Sequence, residues 1–221
     1  MISPIRAEVS AAALRHNLAR IREEAAGSRV MAVVKANAYG HGLVEVARVL
    51  DEADAFGVAR LSEALALRSS GIRQRIVLLE GLFDCGQIIE AAARELDLVV
   101  HCEEQLAQLA SCTPPRPFDV WLKVNTGMNR LGFRPEQVAS ALGRLDALGP
   151  RVLRELRVMT HFSAADEADS PATQQQIAAF ARLAAQRSWQ RSLCNSAGVF
   201  ACPEAHAEWV RPGLSLYGVS P

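Results

Sequence analysis

One strand-and-helix unit can be read in residues 118–150, which run FDVWLKVNTGMNRLGFRPEQVASALGRLDALGP. The opening residues, 118–124, are mostly apolar and predict a buried strand. Pro135 then stands where a helix tolerates proline, at its first position, and Gly149 with Pro150 ends the segment. Between these signals the apolar residues recur at helical spacing: Val138, Leu142 and Leu145. The stretch therefore predicts a strand followed by an amphipathic helix.

The same unit recurs along the whole chain. Short β-branched or apolar segments predict eight strands, at residues 30–34, 55–59, 75–79, 96–101, 118–124, 156–161, 190–195 and 209–216. Segments with helical spacing lie between most of them. Parallel strands need crossover connections, and eight such units close naturally into a cylinder. We therefore predict an α/β fold of the TIM (β/α)8 barrel type, with a doubly wound open sheet as the competing architecture.

An additional helix is predicted before the first strand. Ser10 is a suitable N-cap for it. Its apolar face consists of Leu14, Leu18 and Ile21, which recur at helical spacing. Such a helix can cover the barrel where no helix follows the eighth strand. Because no linker or low-complexity tract interrupts the pattern, we expect residues 1–221 to form one domain.

Composition excludes several classes of protein. Lys and Arg together number 24, as do Asp and Glu, so the formal charge is zero and no basic stripe predicts nucleic-acid or anionic-membrane binding. No apolar run approaches the roughly 20 residues that a membrane span needs. Residues 1–20 contain no signal-peptide pattern. We expect a cytoplasmic protein that acts on a small molecule.

The cysteines predict neither a disulfide framework nor a metal site. There are five of them, Cys85, Cys102, Cys112, Cys194 and Cys202. None forms a CxxC pair, and this scatter is typical of reduced thiols in a reducing compartment. We expect no bound metal.

A lysine follows the first predicted strand. Active sites of such barrels gather at the C-terminal ends of the strands, which is where Lys35 lies. A lysine that ends a buried strand is a candidate for Schiff-base chemistry. The alternative is that the Lys35 side chain extends into solvent, and hydrophobic periodicity alone favours this alternative.

Further polar residues follow the fifth and sixth strands. Lys123 and Arg130 lie close together in sequence and suit an anionic ligand, with Arg130 able to contact a carboxylate in bidentate fashion. A pair of surface salt-bridge partners is the alternative. His161 ends the sixth strand and is either a structural imidazole or a group that stacks on a ligand.

The last two strand ends add a possible phosphate site. Asn195 and Ser196 begin a short helix whose backbone amides can hold a phosphate. Arg211 adds a positive charge, and Gly213 permits close approach of the backbone. A lysine, a phosphate site and a cation on separate strand ends meet the requirements of pyridoxal 5'-phosphate (PLP), which needs an amine, a phosphate cup and a partner for its ring nitrogen.

Long motifs in a fixed order now identify a family resemblance. They are AVVKANAYGHG at residues 32–42, KVNTGMNRLGF at 123–133, MTHF at 159–162, NSAG at 195–198 and RPGLSLYG at 211–218. Over essentially its whole length the chain resembles the N-terminal barrel of alanine racemases. The resemblance implies a fold-type III PLP barrel and an isomerase that interconverts L- and D-alanine for peptidoglycan precursors.

The resemblance also implies roles for single residues. Lys35 would carry PLP and exchange the α-proton on the D-alanine face. Arg130 would contact the cofactor phenolate and the substrate carboxylate, and Lys123 would match a lysine that is often carbamylated in the family. The cofactor phosphate would be held by Tyr39, Ser196, Gly213 and Leu214, with Asn195 beside them.

Two residues would lie along the cofactor ring. Arg211 would face the pyridine nitrogen and keep it unprotonated, since a guanidinium does not readily give up a proton. His161 would lie between the ring and Arg211.

The chain departs from the family pattern in two respects. Many relatives have Asp-Thr-Gly where this chain has Asn125-Thr126-Gly127, and we expect a small effect. The chain ends at Pro221, directly after an apolar segment, so we expect it to lack the family's C-terminal β-domain. In the family's homodimers that domain provides a tyrosine as the opposing base, a role that neither Tyr39 nor Tyr217 can take.

Racemisation needs acid–base groups on both faces of the carbanion. We therefore expect this polypeptide to bind PLP but to racemise alanine poorly by itself. Two other functions remain open. One is a non-catalytic single-barrel PLP-binding protein with a homeostatic role, and the other is a PLP-dependent decarboxylase with the same type of barrel.

Overall fold

The computed structural model describes residues 8–185 and 187–220. Within them, eight strands form one closed parallel barrel in which neighbours follow chain order. The strands are β1 (Arg29–Val33), β2 (Ala55–Val58), β3 (Arg75–Leu78), β4 (Asp97–Val100), β5 (Phe118–Lys123), β6 (Leu153–Met159), β7 (Arg191–Ser192) and β8 (Trp209–Val210). Val30 of β1 lies opposite Val210 of β8. This pairing closes the cylinder, so the predicted TIM-type barrel is confirmed and the open sheet is excluded.

Helices alternate with the strands. They are α1 (Ala11–Glu24), α2 (Lys35–Tyr39), α3 (Leu43–Val49), α4 (Leu61–Ser69), α5 (Cys85–Ala93), α6 (Glu103–Ser111), α7 (Pro135–Ala147), α8 (Ala172–Ala184) and α9 (Ser196–Ala201). Pro135 is the first residue of α7, as predicted. Asp84 caps α5 by accepting a hydrogen bond from the Gln87 amide at 2.8 Å. The proline signal in the sequence therefore places the start of α7 correctly.

The seventh and eighth strands are shorter than the sequence predicts. Strands were expected at 190–195 and 209–216, but the structure has only Arg191–Ser192 and Trp209–Val210. The apolar segment Leu214–Tyr217 forms a 3-10 helix instead. Periodicity identifies buried apolar residues, but over short segments it does not separate a strand from a helical turn. The early end of both strands frees the following backbone to line the mouth of the barrel.

Helix α1 packs against the short 3-10 helix that follows the eighth strand. Ser10 caps it by accepting a hydrogen bond from the Ala13 amide at 3.2 Å. Its predicted apolar face is buried, and it consists of Leu14, Leu18 and Ile21. Asn17 on the same helix donates a hydrogen bond to the Leu216 carbonyl at 3.0 Å. The predicted covering role of this helix is confirmed.

Two predictions reach beyond the described residues. The interpretation of residues 1–20 includes 1–7, which lie outside the described part of the chain. The prediction that 1–221 form one domain includes these residues as well as 186 and 221, and it stays a prediction.

One pair of cysteines contradicts the prediction of reduced thiols. Cys85 and Cys112 form a disulfide, with their Cα atoms 5.6 Å apart. Cys85 begins α5 and Cys112 follows α6, and the packing of these two helices brings them together. A spacing rule that looks for CxxC pairs cannot detect a partner 27 residues away. The prediction was therefore wrong for this pair; Cys102, Cys194 and Cys202 are free.

The interior of the barrel contains one layer of apolar side chains. Its members come from strands around the cylinder and are Met31, Ala55, Val77, Val99, Trp121, Met159 and Trp209. Trp121 and Trp209 meet edge to face, with ring centroids 5.8 Å apart. This layer separates the two ends of the barrel.

A cluster of charged residues lies at the N-terminal end of the strands. Asp119, which is 2% exposed, accepts hydrogen bonds from Arg75 at 2.5 Å and Arg154 at 2.6 Å. Arg157 lies 3.0 Å from the same carboxylate, and Arg75 also contacts Asp97 at 2.5 Å. Burial tends to raise the pKa of Asp119, but hydrogen bonds from the three arginines outweigh it and hold that pKa well below its usual range. We call these residues the lower charge cluster.

In the described part of the chain, no helix has the length and apolar character to cross a bilayer. In the same residues, no group of three or more His, Cys, Asp or Glu side chains is arranged to hold a metal ion.

Candidate active site

A cavity of about 430 Å³ opens at the C-terminal end of the strands. It contains all ten residues that the sequence singles out, which are Lys35, Tyr39, Lys123, Arg130, His161, Asn195, Ser196, Arg211, Gly213 and Leu214. They come from five different connections between elements. Closure of the barrel is therefore what assembles them, and their individual roles stay predictions.

Lys35 begins a turn of unusual backbone conformation. Ala36, Asn37, Ala38 and Tyr39 have φ angles between 52° and 55°, so this short segment, α2, winds in the left-handed sense. That conformation costs roughly 1–2 kcal/mol for each L-residue. The Asn37 side chain helps to hold it by accepting a hydrogen bond from the Leu43 amide at 2.9 Å. The turn carries both Lys35 and Tyr39 into the cavity.

Tyr39 lies against the backbone of the segment that follows β8. A Cβ atom on Gly213 would come within 2.6 Å of the Tyr39 hydroxyl oxygen, so only glycine allows this approach. Behind it, the Tyr217 ring lies 5.0 Å from Tyr39 and stacks on His41 at 4.7 Å. The Tyr217 hydroxyl donates to the Val33 carbonyl at 3.2 Å. The phenol of Tyr39 is thereby placed at one corner of the cavity.

The same corner includes the start of helix α9. Asn195 caps this helix by accepting a hydrogen bond from the Gly198 amide at 3.0 Å. The Ser196 hydroxyl oxygen accepts hydrogen bonds from the amides of Gly213 at 2.9 Å and Ser215 at 3.3 Å. Its own proton is therefore free to be donated into the cavity. A helix start with such donors is suited to a phosphate.

Arg211 is the most deeply buried cation of the cavity, at 5% exposed. It donates hydrogen bonds to the Thr160 carbonyl, the Ser192 hydroxyl and the Leu193 carbonyl, all of them neutral acceptors. One of its nitrogens lies 3.4 Å from His161 Nδ1. Burial lowers the pKa of Arg211 to about 10, so it remains charged at neutral pH.

Lys123 and His161 respond to the positive field of the cavity. Burial, and then the charges of Arg211, Arg130 and Lys35, lower the pKa of Lys123 to about 8. The same causes, led by burial, lower the pKa of His161 to about 2. The imidazole is therefore neutral at physiological pH and can accept a hydrogen bond at one nitrogen.

Asn125 lies away from this cavity. It lines a second one of about 310 Å³ beside helix α6. Its side-chain oxygen accepts hydrogen bonds from the amides of Gly127 at 3.1 Å and Asn129 at 3.0 Å. The side chain therefore shapes the loop before Arg130 without contacting the main cavity.

Sequence reasoning missed two carboxylates of the main cavity. Glu80 follows β3 and Asp166 follows β6, and both line the cavity. The rule that functional residues follow barrel strands, applied to the third strand, would have found Glu80. Asp166 lies in a loop beyond Met159, where the rule gives no signal.

These features define a class of protein: a parallel (β/α)8 barrel whose mouth combines lysine and arginine side chains with a helix start that offers hydrogen-bond donors. Residues 9–221 match the family model described as "Alanine racemase, N-terminal domain". The chain belongs to this family.

Similar proteins agree with that assignment. A protein named alanine racemase from Shewanella sediminis (strain HAW-EB3) is 52% identical over 216 residues, which are 98% of this chain and 60% of the relative. The crystal structure of the biosynthetic alanine racemase from Pseudomonas aeruginosa has a TM-score of 0.90 at 44% identity and covers 95% of this chain and 58% of that one. The alanine racemase from D-cycloserine-producing Streptomyces lavendulae has a TM-score of 0.91 at 35% identity and covers 99% of this chain and 60% of that one. The chain thus spans about three fifths of the length of these relatives.

Proposed function

We propose that this chain is the PLP-binding barrel of an alanine racemase, acting in interconversion of L- and D-alanine. The proposal rests on one observation. Lys35, Lys123, Arg130 and Arg211 share a cavity, and within the described residues no carboxylate lies within ion-pair distance of any of them. An uncompensated cluster of cations is suited to an anionic ligand such as a phosphorylated cofactor together with a carboxylate substrate.

The residues fit the chemical groups of PLP. The Ser196 hydroxyl and the helix start behind it suit the phosphate, as does the close approach of Tyr39 to Gly213. Lys35 provides a primary amine in the same cavity. Arg211 provides a charged donor for a ring nitrogen, as the resemblance implies. When bound, PLP supplies an electron-withdrawing ring that stabilises negative charge at the α-carbon of an amino acid.

Each residue would then act through a stated atom. Lys35 Nζ would hold the cofactor covalently, and it would remove or return the α-proton of the substrate on the D-alanine face. Arg211 would keep its proton and leave the ring nitrogen unprotonated. The neutral His161 would lie between Arg211 and the ring.

Two cations would bind and orient the substrate side of the ligand. Arg130 would contact the substrate carboxylate and the cofactor phenolate. Lys123, whose pKa is lowered to about 8, holds a larger fraction of neutral amine than an ordinary lysine and is suited to carbamylation. A carbamate there would place a negative charge beside Arg130 and orient it.

The second proton-transfer group would come from outside these 221 residues. Burial raises the pKa of both Tyr39 and Tyr217, and each phenol is already packed at the phosphate corner. Racemisation also needs a base on the face opposite Lys35, and neither tyrosine is placed to take that role. We therefore expect PLP binding with little racemase activity from this polypeptide alone, and a partner subunit in a homodimer would complete the site.

The test compares wild type with Lys35→Ala in the presence of PLP. Visible absorbance and borohydride reduction, followed by peptide mapping, should place the cofactor on Lys35 in wild type and nowhere in the variant. An equal yield of reduced adduct in Lys35→Ala would overturn the assignment.

A second candidate is a non-catalytic PLP-binding protein, which would need only the amine, the cations and the phosphate corner of this cavity. Alanine exchange in deuterated solvent separates the candidates. A racemase barrel should exchange the α-hydrogen on one face or invert the centre, whereas a PLP carrier should do neither. Release of carbon dioxide instead would indicate a decarboxylase. For either of the first two functions we propose a cytoplasmic protein with a small-molecule partner and no nucleic acid.

A further inference from the structure

The left-handed turn that follows Lys35 needs restraints from its surroundings. Four consecutive residues without glycine, Ala36 to Tyr39, have positive φ angles. Because each costs roughly 1–2 kcal/mol, the isolated sequence would favour right-handed conformations. Any change of hand would alter the direction in which Lys35 and Tyr39 leave the backbone.

Glu63 provides a restraint from the neighbouring βα unit. One of its carboxylate oxygens, Oε1, accepts a hydrogen bond from the Ala36 amide at 2.7 Å. The other, Oε2, accepts hydrogen bonds from the amides of Ala59 at 2.9 Å and Arg60 at 3.1 Å. One carboxylate therefore joins the start of helix α4 to the start of the left-handed turn.

The amide that Glu63 binds belongs to the peptide unit between Lys35 and Ala36. Fixing this unit fixes the orientation of the lysine backbone relative to the barrel. The opposite oxygen is held at the N-terminus of α4, where negative charge is favourable. Hydrogen bonds to a carboxylate are also stronger than those between neutral groups. The carboxylate is therefore anchored through both of its oxygens.

We propose that Glu63 is a positioning residue for Lys35, which keeps the α2 turn left-handed so that the amine of Lys35 and the phenol of Tyr39 face the same ligand. The proposal deepens the proposed function and rests on Lys35 as the residue that carries the cofactor. Glu63 itself does not line the cavity and would not touch the cofactor.

Helix α7 offers a matched control. Gln137 occupies the same third position of its helix as Glu63 does in α4, and its Oε1 accepts a hydrogen bond from the Arg134 amide at 3.0 Å. Among the described residues it forms no hydrogen bond with the turn after Lys35, so Gln137→Ala removes the local capping interaction alone.

The first measurement uses the protein without cofactor. Amide hydrogen exchange should accelerate about tenfold to a hundredfold at Ala36 and in the rest of the turn in Glu63→Ala, as loss of a charge-assisted hydrogen bond implies. Gln137→Ala should leave exchange in this turn unchanged. Its melting temperature should fall by about as much as that of Glu63→Ala. Equal exchange in the two variants would overturn the proposal.

The second measurement follows cofactor attachment. Glu63→Ala should weaken formation of the borohydride-reducible adduct at Lys35 by about tenfold or more, whereas Gln137→Ala should match wild type. Glu63→Gln should recover part of the loss, because its amide oxygen can still accept from Ala36. If Glu63→Ala does not fold, Glu63→Gln can be measured in its place, because it preserves the length of the side chain. Unchanged adduct formation in both Glu63 variants would contradict the proposal.

The two measurements separate this inference from the proposed function. If wild type forms no adduct at Lys35, the proposed function fails, and hydrogen exchange alone decides whether Glu63 restrains the turn. If wild type forms the adduct but exchange and attachment are unaffected in the Glu63 variants, the proposed function stands and the positioning role is wrong.

Discussion

The two ends of the barrel both bury charge, but only one end neutralises it. At the lower charge cluster, Arg75 and Arg157 contact Asp97 and Asp119. At the mouth, the four cations share a cavity in which Glu80 and Asp166 line the wall without forming ion pairs with them. Charge that the protein itself pairs contributes to a fixed structure, whereas unpaired charge is available to a ligand. The difference agrees with the general pattern of TIM barrels, in which function is confined to the C-terminal end of the strands.

The pKa values follow the same division. Three arginines hold the pKa of Asp119 well below its usual range, although burial opposes them. Burial raises the pKa of its neighbour Asp97 to about 6 in spite of Arg75. At the mouth, burial and mutual repulsion lower the pKa of Lys123 to about 8. The cations at the mouth therefore repel one another, and an anionic ligand would reduce that repulsion.

Removal of Asp119 should cause the largest change in the free energy of unfolding. Asp119→Ala leaves three arginines without their shared carboxylate, and we expect a loss of about 3–5 kcal/mol in the free energy of unfolding. Urea denaturation measures it. Asp146→Ala, which removes an exposed pair with Arg187, is the control and should cost at most about 1 kcal/mol. If Asp119→Ala lowered the free energy of unfolding no more than Asp146→Ala, the lower charge cluster would contribute no more to stability than an exposed ion pair.

Removal of a cation from the mouth should instead increase the stability of the protein. In buffer free of carbon dioxide and PLP, Lys123→Met should raise the free energy of unfolding by about 2 kcal/mol at pH 7. Because the folded pKa is about 8 and the unfolded value 10.5, the unfolded chain binds more protons between these values. Wild-type stability should therefore rise with pH over that window, and the variant should lack this rise. A destabilised variant would contradict the inference that repulsion between the cations at the mouth lowers stability.

Titration of His161 should cause a smaller change in stability, and this change should occur at acidic pH. Its folded pKa is lowered to about 2 from 6.5, so below pH 6.5 the unfolded chain takes up a proton that the folded chain refuses. Wild type should lose about 1 kcal/mol between pH 7 and pH 5.5 from this group. His161→Gln should show a flatter profile, and an NMR titration of the wild-type imidazole should find no protonation down to pH 5. An imidazole that titrates near pH 6.5 would contradict the assignment.

Asn125→Asp should have the smallest effect. The carboxylate can still accept hydrogen bonds from Gly127 and Asn129, and it loses only the donation to the Asn129 side chain at 3.1 Å. We expect a change within about 0.5 kcal/mol in stability. Cofactor attachment at Lys35 should be unchanged, and absorbance titration with PLP measures it. A strong effect on attachment would mean that this loop communicates with the mouth.

Sequence reasoning found most of the site because the relevant residues follow strands. Lys35 follows the first predicted strand and His161 ends the sixth, and a closed barrel brings such positions to one end. Arg211 lies inside the predicted eighth strand, but the strand ends at Val210 in the structure, so Arg211 also follows it. It missed Glu63, which lies in a helix and acts through a backbone amide 27 residues away. It also missed the Cys85–Cys112 disulfide, because no local pattern distinguishes a cysteine that will meet a partner from one that will not.

The sequence by itself determined the alternation of strands and helices, the cap at Ser10, the start of α7 at Pro135 and the family motifs. These depend on hydrophobic period and on local hydrogen-bonding chemistry, which act over a few residues. Only the tertiary structure decided the left-handed turn after Lys35, the 3-10 helix at Leu214–Tyr217 and the neutralisation of one barrel end. Each of these depends on contacts between residues far apart in the chain, and such contacts exist only once the cylinder has closed.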